Sequence, residues 1–190
     1  VNLTMAGLII LGGIGFAVIY DVWSSRSFTK LTLHSKLVLA TTGILLAGGA
    51  ILFYAFEANN PETLAPLSTQ GKLLGSFFQS VTPRTAGYNT LDFGKMYDGT
   101  LLLVVIMMFI GASPASTGGG IKTSTMAVVI LAIWALIRGR GDAECFGRRI
   151  PKEFIYKAFS VMFIAFLLVV IVTMALTITE HAGFINILFE

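Results

Sequence analysis

Apolar residues recur in long runs along most of the chain, separated by shorter stretches that hold nearly all of the charge. A helix of about 20 apolar residues matches the hydrocarbon thickness of a bilayer. Three runs of this kind lie at 1–23, 34–56 and 154–179, and a longer, interrupted one lies at 101–137. Since the runs recur throughout, they are not one cleavable signal sequence. The pattern predicts an all-α membrane protein that crosses the bilayer several times.

The interrupted run is too long to be one transmembrane helix. An unbroken helix over 99–138 would measure roughly 60 Å, about twice the thickness of the hydrocarbon layer. Pro114 lacks an amide donor, and the glycine triplet at 118–120 accepts unusual backbone angles. Non-helical backbone within a membrane is tolerated only where protein covers it or where it lines a water-filled cavity. The polar break therefore predicts a permeation path.

A second stretch predicts a pore loop. Residues 73–81 are apolar but too few to span, and Pro83 follows them. Short apolar runs can be re-entrant segments. An extended return through 85–88 would aim carbonyl oxygens at a dehydrated cation, and Gly87 would supply backbone freedom. We expect Arg84 to brace this loop from behind, against Glu57, Glu62 or Asp92.

Composition and charge agree with this class. Only 12% of the residues are charged, where a soluble domain has about a quarter. The modest positive balance lies in the loops between spans, so it does not indicate nucleic-acid binding. Cys145 is the single cysteine, which excludes a disulfide framework and a cysteine metal site.

Lysine and arginine placement predicts the topology. The loops 24–36 and 138–157 are basic and should be cytoplasmic, whereas 57–99 and 180–190 should lie outside. Residues 34–138 then form one complete unit of helix, pore loop and broken helix. Residues 1–23 would end the inner helix of a preceding repeat, and 154–190 would begin the next repeat. The glycines at 12, 13 and 15 allow either close helix packing or a kink. We expect a fragment of a longer repeat protein.

Two stretches in this order, TPRTAGYNT at 82–90 and GASPASTGGGIKTST at 111–125, resemble the Trk/Ktr/HKT superfamily of potassium transporters. The likeness is closest to the bacterial Ktr-type membrane subunit, and RRIP at 148–151 fits as well. The resemblance implies four repeats of helix, pore loop and helix around a pseudo-fourfold pore. It implies potassium as the transported ion, leaves sodium dependence open, and implies no organic cofactor. The implied setting is the inner (plasma) membrane, as a multi-pass homodimer on a cytosolic nucleotide-binding regulatory ring.

The resemblance also implies the site residues. One quarter of the selectivity filter would be formed by Thr85, Ala86, Gly87 and Tyr88. The gate loop that obstructs the path below the filter would comprise Gly111, Ala112, Ser113, Pro114, Ala115, Ser116, Thr117, Gly118, Gly119, Gly120, Ile121, Lys122, Thr123, Ser124 and Thr125.

Other chemistry for the break is less favoured. Ile121 separates Gly120 from Lys122, so the phosphate-binding Gly-Lys-Ser/Thr pattern is absent. An intramembrane serine hydrolase using Ser113 needs a base within hydrogen-bond reach.

The two histidines, His34 and His181, lie at span ends, so we expect no enzyme. A purely structural helix-packing subunit explains the glycines but not the adjacent re-entrant loop. Lys122 is either a barrier to cations or a cap on carbonyl groups at the break.

Overall fold

The computed structural model describes residues 2–180 and 183–189. These residues form helices α1 (Asn2–Ile14), α2 (Phe16–Ser25), α3 (Leu33–Glu57), α4 (Thr69–Val81), α5 (Asp98–Phe109), α6 (Thr123–Ile137), α7 (Lys152–Thr179) and α8 (Phe184–Phe189). Strands β1 (Glu144–Cys145) and β2 (Arg148–Arg149) form a small antiparallel hairpin. The helical membrane fold predicted from the sequence is confirmed, with the hairpin as an addition.

Helices α3 and α7 are long and apolar enough to cross a bilayer, and α1 with α2 would make a third span if the bent pair is one crossing. Helix α3 begins where the Thr32 side chain accepts a hydrogen bond from the Ser35 amide. Helix α7 begins directly after Pro151, which occupies the N-cap position and makes no side-chain capping hydrogen bond. The expected spans at 34–56 and 154–179 thus agree with the structure within two residues.

The first apolar run is not a straight helix. Helices α1 and α2 meet at an angle of 93°, and Gly15 between them has φ +91°. A Cβ atom at Gly15 would lie 2.5 Å from the carbonyl oxygen of Pro114. The single span expected over 1–23 is therefore two helices with a sharp bend between them. The kink that the glycines allowed is present, and it lies at Gly15, whereas a Cβ atom at Gly12 or Gly13 would meet only ordinary contacts.

The predicted break of the 99–138 helix is confirmed. Helix α5 ends at Phe109 and α6 begins at Thr123. Ile110 and Ile121 lie side by side, and the Ile121 amide donates to the Phe109 carbonyl oxygen over 3.0 Å. The chain therefore leaves the helix, makes an excursion through 111–120, and returns to the point where it left.

The two basic loops lie on the same side of the molecule. The rings of Phe28 and Phe146 meet edge to face at 6.1 Å, and the Lys36 ammonium lies 5.9 Å from each ring centroid. Helices α3 and α7 consequently start from one side, as the alternating topology requires.

Candidate ion pathway

The re-entrant helix α4 is held between α3 and α1. Its first turn is capped by Ser68, which accepts from the Gly71 amide over 3.2 Å. Near its other end, the Ser80 hydroxyl donates to the Leu46 carbonyl oxygen over 2.8 Å. A Cβ atom at Gly49 would lie within 3 Å of Ser80 and Met107, so this glycine lets α3, α4 and α5 approach closely. The last turns of α4 are buried, which places its carboxyl end inside the fold.

The return segment after α4 alternates in the sign of the backbone angle φ. Thr85 and Gly87 have φ of +64° and +72°, whereas Ala86 between them has negative φ. The Ala86 amide donates to the Thr82 carbonyl oxygen over 3.2 Å, and the Thr82 hydroxyl donates to the Tyr88 carbonyl oxygen. Among residues 2–180 and 183–189, no hydrogen bond reaches the carbonyl oxygens of Thr85, Ala86 or Gly87. Three neighbouring acceptors are therefore available to a ligand, and the fourth is engaged within the loop.

Arg84 lies behind this segment and is only 4% exposed. Its Nη2 is 3.4 Å from the Thr42 hydroxyl, and its Nε has no partner within the described part of the chain. The expectation that a carboxylate of Glu57, Glu62 or Asp92 braces it was wrong. Glu57 is saturated by other donors, and Asp92 caps the Gly94 amide. Arg84 does brace the loop, but against α3.

Glu57, at the end of α3, is fully buried and joins the segments that precede and follow the re-entrant loop. One carboxylate oxygen accepts from Asn60 Nδ2 at 2.7 Å and from the Thr63 hydroxyl at 2.5 Å. The other accepts from the Tyr97 amide at 3.0 Å and from the Thr100 hydroxyl at 2.5 Å. The carboxylate thus ties the end of α3 to the start of α5. The sequence signal for it was a lone acidic residue closing an apolar span.

The loop of residues 111–122 is closed by its own hydrogen bonds. The Ala112 amide donates to the Gly119 carbonyl oxygen over 3.2 Å. The Ser116 hydroxyl donates to the Ser113 carbonyl oxygen over 2.5 Å. Lys122 Nζ donates to the Gly118 carbonyl oxygen over 2.6 Å. This contact matches the capping role expected for the lysine, and its role as a barrier to cations stays a prediction.

Ser113 has no base beside it in the described residues. Its hydroxyl is fully buried and lies 3.1 Å from that of Thr123. His34 is in the exposed first turn of α3, and His181 lies outside the described residues. This geometry gives no support to nucleophilic chemistry at Ser113.

The return segment and the 111–122 loop touch each other. A Cβ atom at Gly118 would lie 2.7 Å from the Thr85 hydroxyl and 2.3 Å from the Ala112 Cβ, and one at Gly119 would lie 3.8 Å from the Thr85 methyl group. The bend between α1 and α2 supports the loop from another side. There the Ser113 amide donates to the Gly13 carbonyl oxygen over 3.0 Å, and the Phe16 amide donates to the Ala115 carbonyl oxygen over 3.3 Å.

The remaining predicted gate residues divide by exposure. Buried members are Gly111, Ala112, Ser113, Ile121 and Thr123, and exposed members are Ala115, Thr117, Gly119 and Gly120. Pro114, Ser116, Gly118 and Lys122 are half-buried, as are Ser124 and Thr125, which lie in the first turn of α6. The loop therefore has one face packed into the fold and one face open.

The turn that follows the re-entrant helix α4 contacts the break between α5 and α6. This arrangement places the chain in the class of helical membrane proteins with an internal polar loop. The profile of the family described as "TrkH: Cation transport protein" matches residues 1–190. The chain belongs to this family of cation transport proteins, which are not enzymes.

Individual relatives agree with this assignment. Ktr system potassium uptake protein B of Bacillus subtilis is 44% identical over 190 residues, which cover 100% of this chain and 43% of that protein. Potassium/sodium uptake protein NtpJ of Enterococcus hirae is 39% identical over 94% of this chain and 39% of its own length. The crystal structure of the potassium transporter TrkH from Vibrio parahaemolyticus superposes with a TM-score of 0.70 at 19% identity, covering 94% of this chain and 39% of TrkH. The chain thus spans less than half the length of these relatives.

Proposed function

We propose that this chain supplies one filter loop and the gate of a potassium uptake protein of the cell membrane. The observation that carries the proposal is the contact between Thr85, in the return after the re-entrant helix, and Gly118, in the intramembrane loop. A barrier that lies against a filter controls every ion that passes the filter. A helix break that served only to pack helices would not need to contact the filter segment.

The filter assignment, residues 85–88, is supported by backbone geometry. Residues whose φ alternates in sign turn successive amides to one side of the chain. The carbonyl groups, which are opposed to the amides across each planar peptide, face the other side. Carbonyl oxygens in such a row can replace the water shell of a potassium ion. The carboxyl end of α4, which carries partial negative charge, precedes them and favours a cation.

The gate assignment, residues 111–125, is supported by the excursion between Ile110 and Ile121. Because the ends of the loop are paired, the loop can change conformation without separating α5 from α6. The hydrogen bonds that close it come from backbone, hydroxyl groups and one ammonium group, all of which can exchange partners with water.

The assembly extends beyond this chain. We infer that 34–138 is one complete repeat, that 1–23 ends the preceding one, and that 154–190 begins the next. The relatives named as Ktr proteins are parts of a system. By likeness, two copies of the subunit would sit on a cytosolic nucleotide-binding ring, and the hairpin at 144–149 with the end of α6 would face it.

Ion competition tests the transported species. We expect that the full-length protein in proteoliposomes takes up rubidium, and that external potassium suppresses this uptake at lower concentration than sodium does. Equal competition by the two ions would contradict potassium uptake as the function. An effect of sodium on the rate at saturating potassium would separate sodium-dependent transport from simple conduction.

A further inference from the structure

A cavity of about 460 Å³ lies between the amino-terminal turns of α3, α6 and α7. This volume falls within the roughly 300–1,000 Å³ typical of small-molecule sites. Most of its lining is apolar, including Leu37, Val128, Phe154 and Ala158. Its polar members are His34 and Lys157 with the hydroxyl residues Ser124 and Thr125.

The one lysine of the cavity is not neutralised by an ion pair within the described residues. Neither Lys157 nor His34 forms an ion pair within the described residues, and both are exposed. Lys157 Nζ lies 6.0 Å from the Phe154 ring. The acidic residue nearest in sequence, Glu153, is one turn earlier on α7 and makes no ion pair with Lys157.

The beginning of α7 adds to the positive charge. Residues 150–151 line the cavity at this amino end, whereas the amino end of α3, at residues 33–34, is already capped by Thr32 and faces the Asp21 carboxylate. Pro151 caps α7 without a side-chain hydrogen bond, which leaves amides of the first turn unsatisfied. Helix amino ends carry partial positive charge and bind anions.

We propose that this cavity binds an anionic phospholipid of the cytoplasmic leaflet. The headgroup phosphate lies between Lys157 and His34, both of which can donate hydrogen bonds to it, and one acyl chain fills the apolar part. The site is at the end of α3 and α7 that the basic loops share, where anionic lipid is attracted. The bound lipid contacts Ser124 and Thr125, the last two residues of the proposed gate loop, which lie in the first turn of α6.

Native mass spectrometry of the full-length protein with phosphatidylglycerol or phosphatidylcholine tests the site. We expect the protein to retain phosphatidylglycerol preferentially. Lys157→Gln combined with His34→Gln should weaken this retention about tenfold, because a charge-assisted hydrogen bond contributes on that order. Ala158→Phe, which fills the apolar part, should do the same with Lys157 and His34 both intact.

Lys152→Gln is the matched control, since it removes a lysine of the same helix that does not line the cavity. The proposal is overturned if Lys152→Gln reduces retention as much as the double variant, which would indicate diffuse surface charge. It is also overturned if phosphatidylcholine is retained equally, or if neither the double variant nor Ala158→Phe changes retention. A folded state is verified for each variant by its elution as a single species.

Discussion

The side chain of Thr85 lies against Gly118 so closely that a methyl group at position 118 would be 2.7 Å from the Thr85 hydroxyl. Thr85 belongs to the return of the re-entrant loop, and Gly118 belongs to the excursion between the two halves of the broken helix. The two residues are 33 positions apart in sequence. Their contact joins the proposed filter to the proposed gate.

Gly118→Ala should force the loop away from Thr85 and from Ala112, which its Cβ would approach to 2.3 Å. Overpacking of this kind costs about 1–3 kcal/mol. If that cost falls on the closed state, ion flux rises about tenfold, because 1.4 kcal/mol corresponds to a factor of ten in an equilibrium. Rubidium uptake in proteoliposomes measures this. Gly43→Ala is the control, since its Cβ would meet nothing within 4 Å. Equal flux in both variants would count against a gate at this contact.

Gly87→Ser should reduce potassium selectivity with normal membrane insertion. Nothing lies within 4 Å of the Cβ position at Gly87, so the change acts only through its φ of +72°. Left-handed backbone costs other residues about 1–2 kcal/mol, which predicts roughly tenfold weaker potassium competition. Gly99→Ser is the matched control, because its Cβ position is equally open and its φ is not positive. Unchanged competition by potassium in Gly87→Ser would contradict the assignment of Gly87 to the filter.

Glu57→Gln should destabilise the frame of the pore loop. The new amide group would place a donor against the hydroxyl and amide donors that now meet the carboxylate. An unsatisfied buried polar group costs about 1–3 kcal/mol. The thermal unfolding midpoint in detergent should fall by several degrees, whereas Glu62→Gln, at an exposed position, should leave it unchanged. An unchanged unfolding midpoint in Glu57→Gln would show that the hydrogen bonds to the Glu57 carboxylate contribute little to stability.

Cysteine labelling tests the orientation. Thr69→Cys should react with an impermeant maleimide from outside, and Gly141→Cys only after permeabilisation. Both are made in a Cys145→Ser background, because native Cys145 is half-exposed in the same loop as Gly141. Burial raises the pKa of the Cys145 thiol, which slows its reaction but does not prevent it. The reverse labelling pattern would overturn the assignment of the basic loops to the cytoplasm.

Much of the fold was predictable because hydropathy and helix-breaking residues act locally. The spans α3 and α7, the re-entrant α4 and the break before Thr123 all follow from apolar run length, Pro83, Pro114 and the glycine triplet. The bend at Gly15 does not, since apolar residues continue on both sides and the close approach of the Pro114 carbonyl, which leaves no room for a side chain, comes from a distant segment.

The partners of the charged residues could not be predicted from the sequence either. The buried environments of Glu57 and Arg84 depend on which helices pack together. The sequence showed that Arg84 is near the loop, but not that Glu57 would be saturated by donors from residues 60–100. Contacts between segments, including that of Thr85 with Gly118, required the three-dimensional structure.

The most direct measurement is ion flux through the full-length protein after deletion of residues 116–119. The deletion removes the Gly118 and Gly119 carbonyl groups that Lys122 and Ala112 now bind, and it removes the contact with Thr85. It spares Ile110 and Ile121, which pair at the two ends of the loop, and the proposed filter segment. We predict higher rubidium flux with potassium still preferred over sodium. Unaltered flux in a correctly folded protein, or lost selectivity with the barrier intact, would contradict the assignment of this loop as the gate.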